Sequence, residues 1–163
     1  EEKEVQTPLG IASLKVCSSD LVIATILRAG IPLHKGILDC FDHADSAFVA
    51  AYRKHGTGDS YHINVEYATA TRIEGRVLVL ADTMLATGAS IEVTLEKLCD
   101  EQKPSPIHLV CPIASAYAVE YLQKRYGDEV TLWTAAIDEE LTSHSYIVPG
   151  LGDAGDLAYG EKL

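Results

Sequence analysis

Three stretches of this sequence combine residue types that can bind or transform a polyanion. The first is Ala81-Asp82-Thr83-Met84-Leu85-Ala86-Thr87-Gly88-Ala89-Ser90, which joins an apolar run to a helical pattern. Small residues at Ala86, Gly88 and Ala89 let backbone N–H groups approach an anion closely. The hydroxyls of Thr87 and Ser90 add donors, and the following helix presents its positive end. The combination is a phosphate cradle, though not a Walker loop, since Gly-Lys-Ser/Thr is missing. Asp82, at the end of the strand, would be repelled by a phosphate, which suits it to ribose hydroxyls or a metal. Taken alone, the same string is also an ordinary strand–helix turn with Ser90 as its N-cap.

The second stretch supplies positive charge. Ile26-Leu27-Arg28-Ala29-Gly30 closes an apolar run, and Tyr52-Arg53 closes another, with Lys54 beside it. Arg28 is a fixed donor fork, and Ala29 and Gly30 leave room for close backbone approach. An Arg that merely closes a strand reads the same way, and Lys54 reads equally as a solvated surface charge. The third stretch is Tyr146-Ile147-Val148-Pro149-Gly150-Leu151-Gly152-Asp153-Ala154-Gly155-Asp156. Its Gly, Pro and Asp content suits an exposed turn, but a turn does not explain the apolar Tyr-Ile-Val that leads into it.

These stretches need a scaffold, and the order of elements supplies one. Val5–Val16 reads as a hairpin, broken by Thr-Pro and Leu-Gly. Leu21–Leu27 is a continuous apolar run, expected as a strand buried on both faces. Pro32–Phe41 follows as a helix with Ile37, Leu38 and Phe41 inward, then Ala47–Tyr52 as a strand. Tyr61–Tyr67 and Ala68–Ile73 read as an antiparallel excursion turning near Ala68. Arg76–Ala81 is a buried strand. Ser90–Glu101 is a helix with Ile91, Leu95 and Leu98 as its apolar stripe and Glu92, Glu96, Lys97 and Asp100 on its wet face. Strand Ile107–Pro112, helix Ser115–Tyr126 and strand Val130–Ala135 complete the pattern, with Trp133 expected in the core. Alternating strands and helices specify an α/β class with a mainly parallel sheet, whose ligands gather at the carboxyl ends of the strands.

Composition narrows the function. At 163 residues with a formal charge of −11, the chain reads as one domain covering 1–163. Its acidic surface disfavours nucleic acid. No apolar run approaches the roughly 20 residues a membrane helix needs, and Glu1-Glu2-Lys3-Glu4 is not a signal peptide. Cys17, Cys40, Cys99 and Cys111 have no CxxC spacing and are expected as buried, reduced thiols, which fits a cytoplasmic location. The six histidines lack ligand spacing. Ser143-His144-Ser145 hints at nucleophilic catalysis, but no elbow motif surrounds either serine.

The three motifs together resemble a known family. An acidic residue after an apolar strand, followed by Thr-Gly-x-Ser, is similar to the phosphoribosyl-diphosphate loop of type I phosphoribosyltransferases. Met84-Leu85-Ala86-Thr87-Gly88 resembles the uracil-specific branch, which carries one acid where many members carry two. Thr83 stands where that branch usually has Pro, and Ala89 where it has a second Gly. The Arg28 segment resembles the branch's diphosphate loop, Arg53 a second family arginine, and Tyr146–Asp156 its uracil-binding loop. The resemblance runs from about Ile23 to Gly160 and implies a type I phosphoribosyltransferase fold. That fold has a mainly parallel central sheet flanked by helices, a small hood and a β-hairpin excursion. Relative to the family the chain is N-terminally incomplete, lacking a helical stretch before Glu1.

The resemblance also implies an activity. Uracil N1 would displace diphosphate from 5-phosphoribosyl 1-diphosphate with inversion, giving UMP in pyrimidine salvage. Arg28, Asp82 and Asp153 are the implied catalytic residues. Donor binding falls to Arg28, Ala29, Gly30, Arg53, the run Asp82, Thr83, Met84, Leu85, Ala86, Thr87, Gly88, Ala89 and Ser90, and Asp153. Uracil falls to Met84, Ala86, Tyr146, Ile147, Gly152, Asp153, Ala154 and Tyr159. Backbone N–H groups at Gly152 and Ala154 and a carbonyl near Ile147 complement the edge of uracil, whereas cytosine would leave buried groups unpaired. Tyr159 either covers the base or packs in the core. Mg²⁺ would travel with the diphosphate, with no direct protein ligand. A homo-oligomer, dimer or tetramer, and a GTP effector are further implications. Two alternatives stay open: a phosphoribosyltransferase for another base, and a pyrimidine-sensing RNA-binding regulator on the same fold.

Overall fold

A computed structural model describes residues 2–16, 20–55 and 61–161, without the side chains of residues 52–55 and 61–66. Its elements are β1 (Glu2–Thr7), β2 (Gly10–Lys15), β3 (Leu21–Leu27), α1 (Ile31–Cys40), β4 (Asp45–His55) and β5 (Tyr61–Thr69). These are followed by β6 (Val77–Ala81), β7 (Met84–Leu85), α2 (Ala89–Cys99), β8 (Ile107–Val110), β9 (Ile113–Ser115) and α3 (Ala116–Tyr126). The chain closes with β10 (Val130–Trp133), β11 (Ala136–Asp138), β12 (Glu140–Leu141), β13 (Ile147–Val148) and α4 (Ala154–Tyr159).

The main sheet has the order β10-β8-β6-β3-β4-β5. All neighbours pair parallel except β4 and β5. Side chains of a strand alternate between faces, and both faces are covered here. Val22, Ala24 and Ile26 of β3 and Leu78 and Leu80 of β6 share one core with Ile91, Leu95 and Leu98 of α2 and Leu122 of α3. Leu21, Ile23 and Val79 point the other way, onto Ile37 and Leu38 of α1. This is why β3 and β6 read as unbroken apolar runs. The crossover after β3 runs outward through α1 to β4, and the one after β6 runs through α2 in the opposite direction to β8. The sheet therefore reverses its winding between β3 and β6, where a doubly wound sheet opens a crevice at the strands' carboxyl ends.

Smaller units decorate this sheet. β7, β9 and β11 form a parallel three-stranded sheet, and β12 pairs antiparallel with β13. The β1–β2 ribbon is the expected hairpin, with Leu9 and Ile11 exposed. Among the described residues, no helix is long and apolar enough to cross a membrane.

Several expectations require correction. Tyr61–Thr69 is one continuous strand, with Ala68 paired to Val49 of β4, so no turn occurs near Ala68. Trp133 is 57% exposed rather than core. β10 is an edge strand whose Val130 and Leu132 face the core, which puts Trp133 on the outer phase, where its indole N–H donates to His108 Nδ1 at 3.2 Å. Phe41 is exposed and not inward: it is the C-cap of α1, where the helix stops and its backbone N–H donates to the Ile37 and Leu38 carbonyls. Cys40 is exposed, Cys99 half-buried and Cys111 buried; Cys17 lies outside the described residues.

Candidate active site at the switch point

Register brings the chemistry-bearing loops to one edge. Thr25 of β3 pairs with Ala81 of β6, and Leu27 with Ala50 of β4, so Arg28 and Asp82 leave adjacent strands at the same end. The buried Thr25 hydroxyl donates to the Ala81 carbonyl at 3.0 Å, tying the two strands together just before they diverge. The Leu27–Arg28 peptide is cis. Gly30, buried, is the N-cap of α1.

Beyond this edge lies a cleft of about 1090 Å³. Arg28 and Ala29 line one side, and Asp82, Thr83, Met84, Ala86 and Ser90 the floor. Tyr146, Ile147, Gly152, Asp153 and Ala154 line the opposite wall. Segments more than fifty residues apart in sequence thus share one cavity. Thr87, Gly88, Ala89 and Tyr159 are not among the described residues that line it. Leu85, in β7, is 1% exposed and belongs to the core. Arg53 lies in β4, but its side chain is outside the described residues, as is that of Lys54.

The floor is more ordered than a loop. β7 pairs with β9 directly after Asp82, which anchors Met84 and Leu85 and presents Ala86 to the cleft. Gly88 takes φ 84° as N-cap of α2, with no side-chain cap, so Ser90 is a first-turn residue of that helix and not its cap. The cradle is braced from behind. Ser115 Oγ, itself accepting from the Ala118 N–H at 3.0 Å, donates to the Ala86 carbonyl. The Tyr121 ring lies beneath Gly88, where an added Cβ would come within 2.9 Å of Cδ1. The Tyr121 hydroxyl is bonded to Glu92, which also accepts from Arg125 Nε at 3.2 Å.

The electrostatics single out two groups. Burial pushes the Asp82 carboxyl up to about 6, against the opposing pull of the Thr83 N–H that donates to its Oδ1 at 2.8 Å. Arg28 is the one Lys or Arg among the described residues lining the cleft, facing Asp82, Asp153 and Glu161. Asp153 caps α4, its Oδ1 accepting from the Asp156 N–H at 2.9 Å. Among the described residues, no cluster of three or more His, Cys, Asp or Glu converges as a metal cage.

The cleft also draws on residues that sequence reasoning missed. Ala50 and Ala51 line it where the β4–β5 register shifts, β5 carrying the extra residue. His144, Ser145, Gly155 and Glu161 complete the rim. Ser145 has φ 62°, unusual for a residue other than glycine; the signal that could have marked it was the Thr142-Ser143-His144-Ser145 cluster before the apolar Ile147.

The chain is also similar to known proteins along nearly its whole length. Residues 1–161 match the family model described as uracil phosphoribosyltransferase. The chain is 49% identical to the uracil phosphoribosyltransferase of Porphyromonas gingivalis, over 99% of this chain and 74% of the relative. It is 35% identical to that of Caulobacter vibrioides, over 99% and 76%. It thus spans about three quarters of these relatives' length. Among solved structures, the AQ2163 protein of Aquifex aeolicus superimposes with a TM-score of 0.86 at 30% identity, covering 98% of this chain and 75% of the other. A purine phosphoribosyltransferase of Pyrococcus horikoshii, 11% identical with a TM-score of 0.54 over 76% of this chain and 81% of the other, shares the fold. The chain belongs to the uracil phosphoribosyltransferase family.

Proposed function

We propose that the cleft transfers the 5-phosphoribosyl group of 5-phosphoribosyl 1-diphosphate to N1 of uracil, giving UMP and diphosphate. The observation that carries this reading is the convergence of Arg28, of Asp82, Thr83, Met84, Ala86 and Ser90 from the cradle, and of the Gly152–Ala154 wall on one cavity at the sheet's switch point. The family membership and the names of the relatives support the same choice of base.

Each segment then has a task. The Ala86–Ser90 backbone and the start of α2 receive the 5-phosphate. Asp82, as a carboxylate, accepts from the ribose hydroxyls. Arg28, with Arg53, draws on the diphosphate and stabilises the charge that builds there as the bond to the anomeric carbon breaks. Gly152, Ala154 and Ile147 read the uracil edge through main-chain groups, and Met84 and Tyr146 flank it. Holding both reactants in line supplies most of the rate. Asp153, which caps α4 through Oδ1 and lines the cleft, would use its other carboxylate oxygen to accept the proton that uracil N1 loses.

Mg²⁺, when bound, neutralises part of the diphosphate charge. The donor set here fits an ion carried by the diphosphate, and Asp82 would hold it at most indirectly. A homo-oligomeric, cytoplasmic enzyme is part of the same reading; the exposed Leu9 and Ile11 of the β1–β2 ribbon support association. The decisive experiment is an assay of UMP formation from uracil and the ribosyl donor with Mg²⁺, alongside cytosine, hypoxanthine and adenine. Turnover with uracil alone is expected. Turnover of another base in its place would overturn the assignment.

A further inference from the structure

Arg28 is the one described Lys or Arg on the cleft, yet its contacts run to α4, at the far end of the chain. Its Nη2 donates to Asp156 Oδ1 at 2.8 Å and to the Gly160 carbonyl. The Tyr159 ring centroid lies 6.0 Å from the guanidinium carbon. Gly155 covers the inner edge, where an added Cβ would stand 3.8 Å from Arg28 Nε and 3.1 Å from Asp153 Oδ1. Arg28 Nε is itself buried with no hydrogen-bond partner among the described residues. Asp156 is fixed in turn, since its N–H donates to Asp153 and its carbonyl accepts from the Gly160 N–H at 2.8 Å.

This arrangement is poorly explained as a stabilising ion pair. Both side chains are 34% exposed, and ion pairs that solvent reaches add little to stability. It is well explained as control of orientation. A guanidinium is a planar fork, so holding one terminal nitrogen fixes where the others point. Both of these bonds leave from Nη2, which keeps the Nη1 edge for a ligand.

We propose that Asp156 is a positioning residue for Arg28, aligning its guanidinium for the diphosphate group. Through it, α4 links the donor side of the cleft to the wall that carries Asp153 and Ala154. This rests on the proposed function for the identity of the ligand.

The test uses the full chain and compares Asp156→Ala, Asp156→Asn and Asp156→Glu with the parent. Inorganic diphosphate is titrated calorimetrically with Mg²⁺, and steady-state kinetics are measured for donor and uracil separately. In Asp156→Ala, diphosphate affinity should fall about tenfold and KM for the donor rise about tenfold, the scale of one lost oriented contact. KM for uracil at saturating donor should stay within about twofold, because that wall keeps its own hydrogen bonds. Asp156→Asn, which still accepts one bond, should fall between, and Asp156→Glu should recover part of the loss.

Diphosphate binding by Asp156→Ala equal to or tighter than the parent's would overturn the proposal. So would an equal rise in both KM values accompanied by a matching fall in melting temperature, the signature of a merely structural residue. The diphosphate titration needs no turnover: a parent chain that binds diphosphate but forms no UMP would sink the choice of base and leave this comparison standing.

Discussion

Asp82 is caught between two demands. Burial at the end of β6 disfavours its charge and raises its carboxyl to about 6, while its proposed task on the ribose needs the carboxylate. The unfolded group titrates near 3.8, so between about pH 4 and 6 the folded chain binds the extra proton. Stability attributable to Asp82 is therefore fully present below pH 3.8 and is lost as pH rises through about 6. The cost at neutral pH is of order 3 kcal/mol. Asp82→Asn should raise the melting temperature of the ligand-free chain at pH 7.5, with the gain shrinking as pH approaches 4. The same variant should raise KM for the donor, and the parent's donor KM should rise as pH drops below about 6. A melting-temperature difference that stays flat across pH 4–7.5 would mean that burial of this charge is not the cause.

At the scale of elements, the proposed phosphate cradle is a braced joint between β7 and α2. Gly88 sits at φ 84° against Tyr121, whose hydroxyl is anchored to Glu92, so the ring cannot simply swing aside. Gly88→Ala adds a left-handed strain and a 2.9 Å contact, together costing about 1–3 kcal/mol. Displacement of the cradle should raise KM for the donor several-fold and leave KM for uracil within about twofold; an equal change in both would show that the cradle does not serve the donor. Much of this joint was legible in sequence, since Leu78–Ala81 is apolar throughout and the small residues of the cradle are contiguous. β7 and α4 were not, because a strand of two residues and a helix of six are too short to display a period. Nor was the Arg28–Asp156 contact, which joins residues 128 apart. Residue type alone points Trp133 to the core, whereas the alternation of Val130, Thr131, Leu132 and Trp133 has the phase that puts the indole outside.

For the whole molecule, the sheet separates chemistry from support. The proposed binding groups gather at the carboxyl ends of β3 and β6, while Arg76 ties the amino ends together. Its side chain, 15% exposed, is paired with Asp20 and with Asp45 at 2.8 Å, and it donates to the Arg72 carbonyl at 2.9 Å and the Leu21 carbonyl at 3.3 Å. One guanidinium thus joins the entrances to β3, β4 and β6. The five residues of β6 put about 17 Å of strand between it and Asp82. Arg76→Met keeps the aliphatic stem but leaves two carboxylates and two carbonyls without this donor, a loss of about 1–3 kcal/mol and a fall of roughly 3–10 °C in melting temperature. Because the cleft's walls are held by separate contacts (Thr25 to Ala81, Ser115 to Ala86, Arg28 to Asp156), kcat and both KM values at 25 °C should stay within about twofold of the parent's. A large change in donor KM with an unaltered melting temperature would show instead that the two ends of the sheet are mechanically coupled.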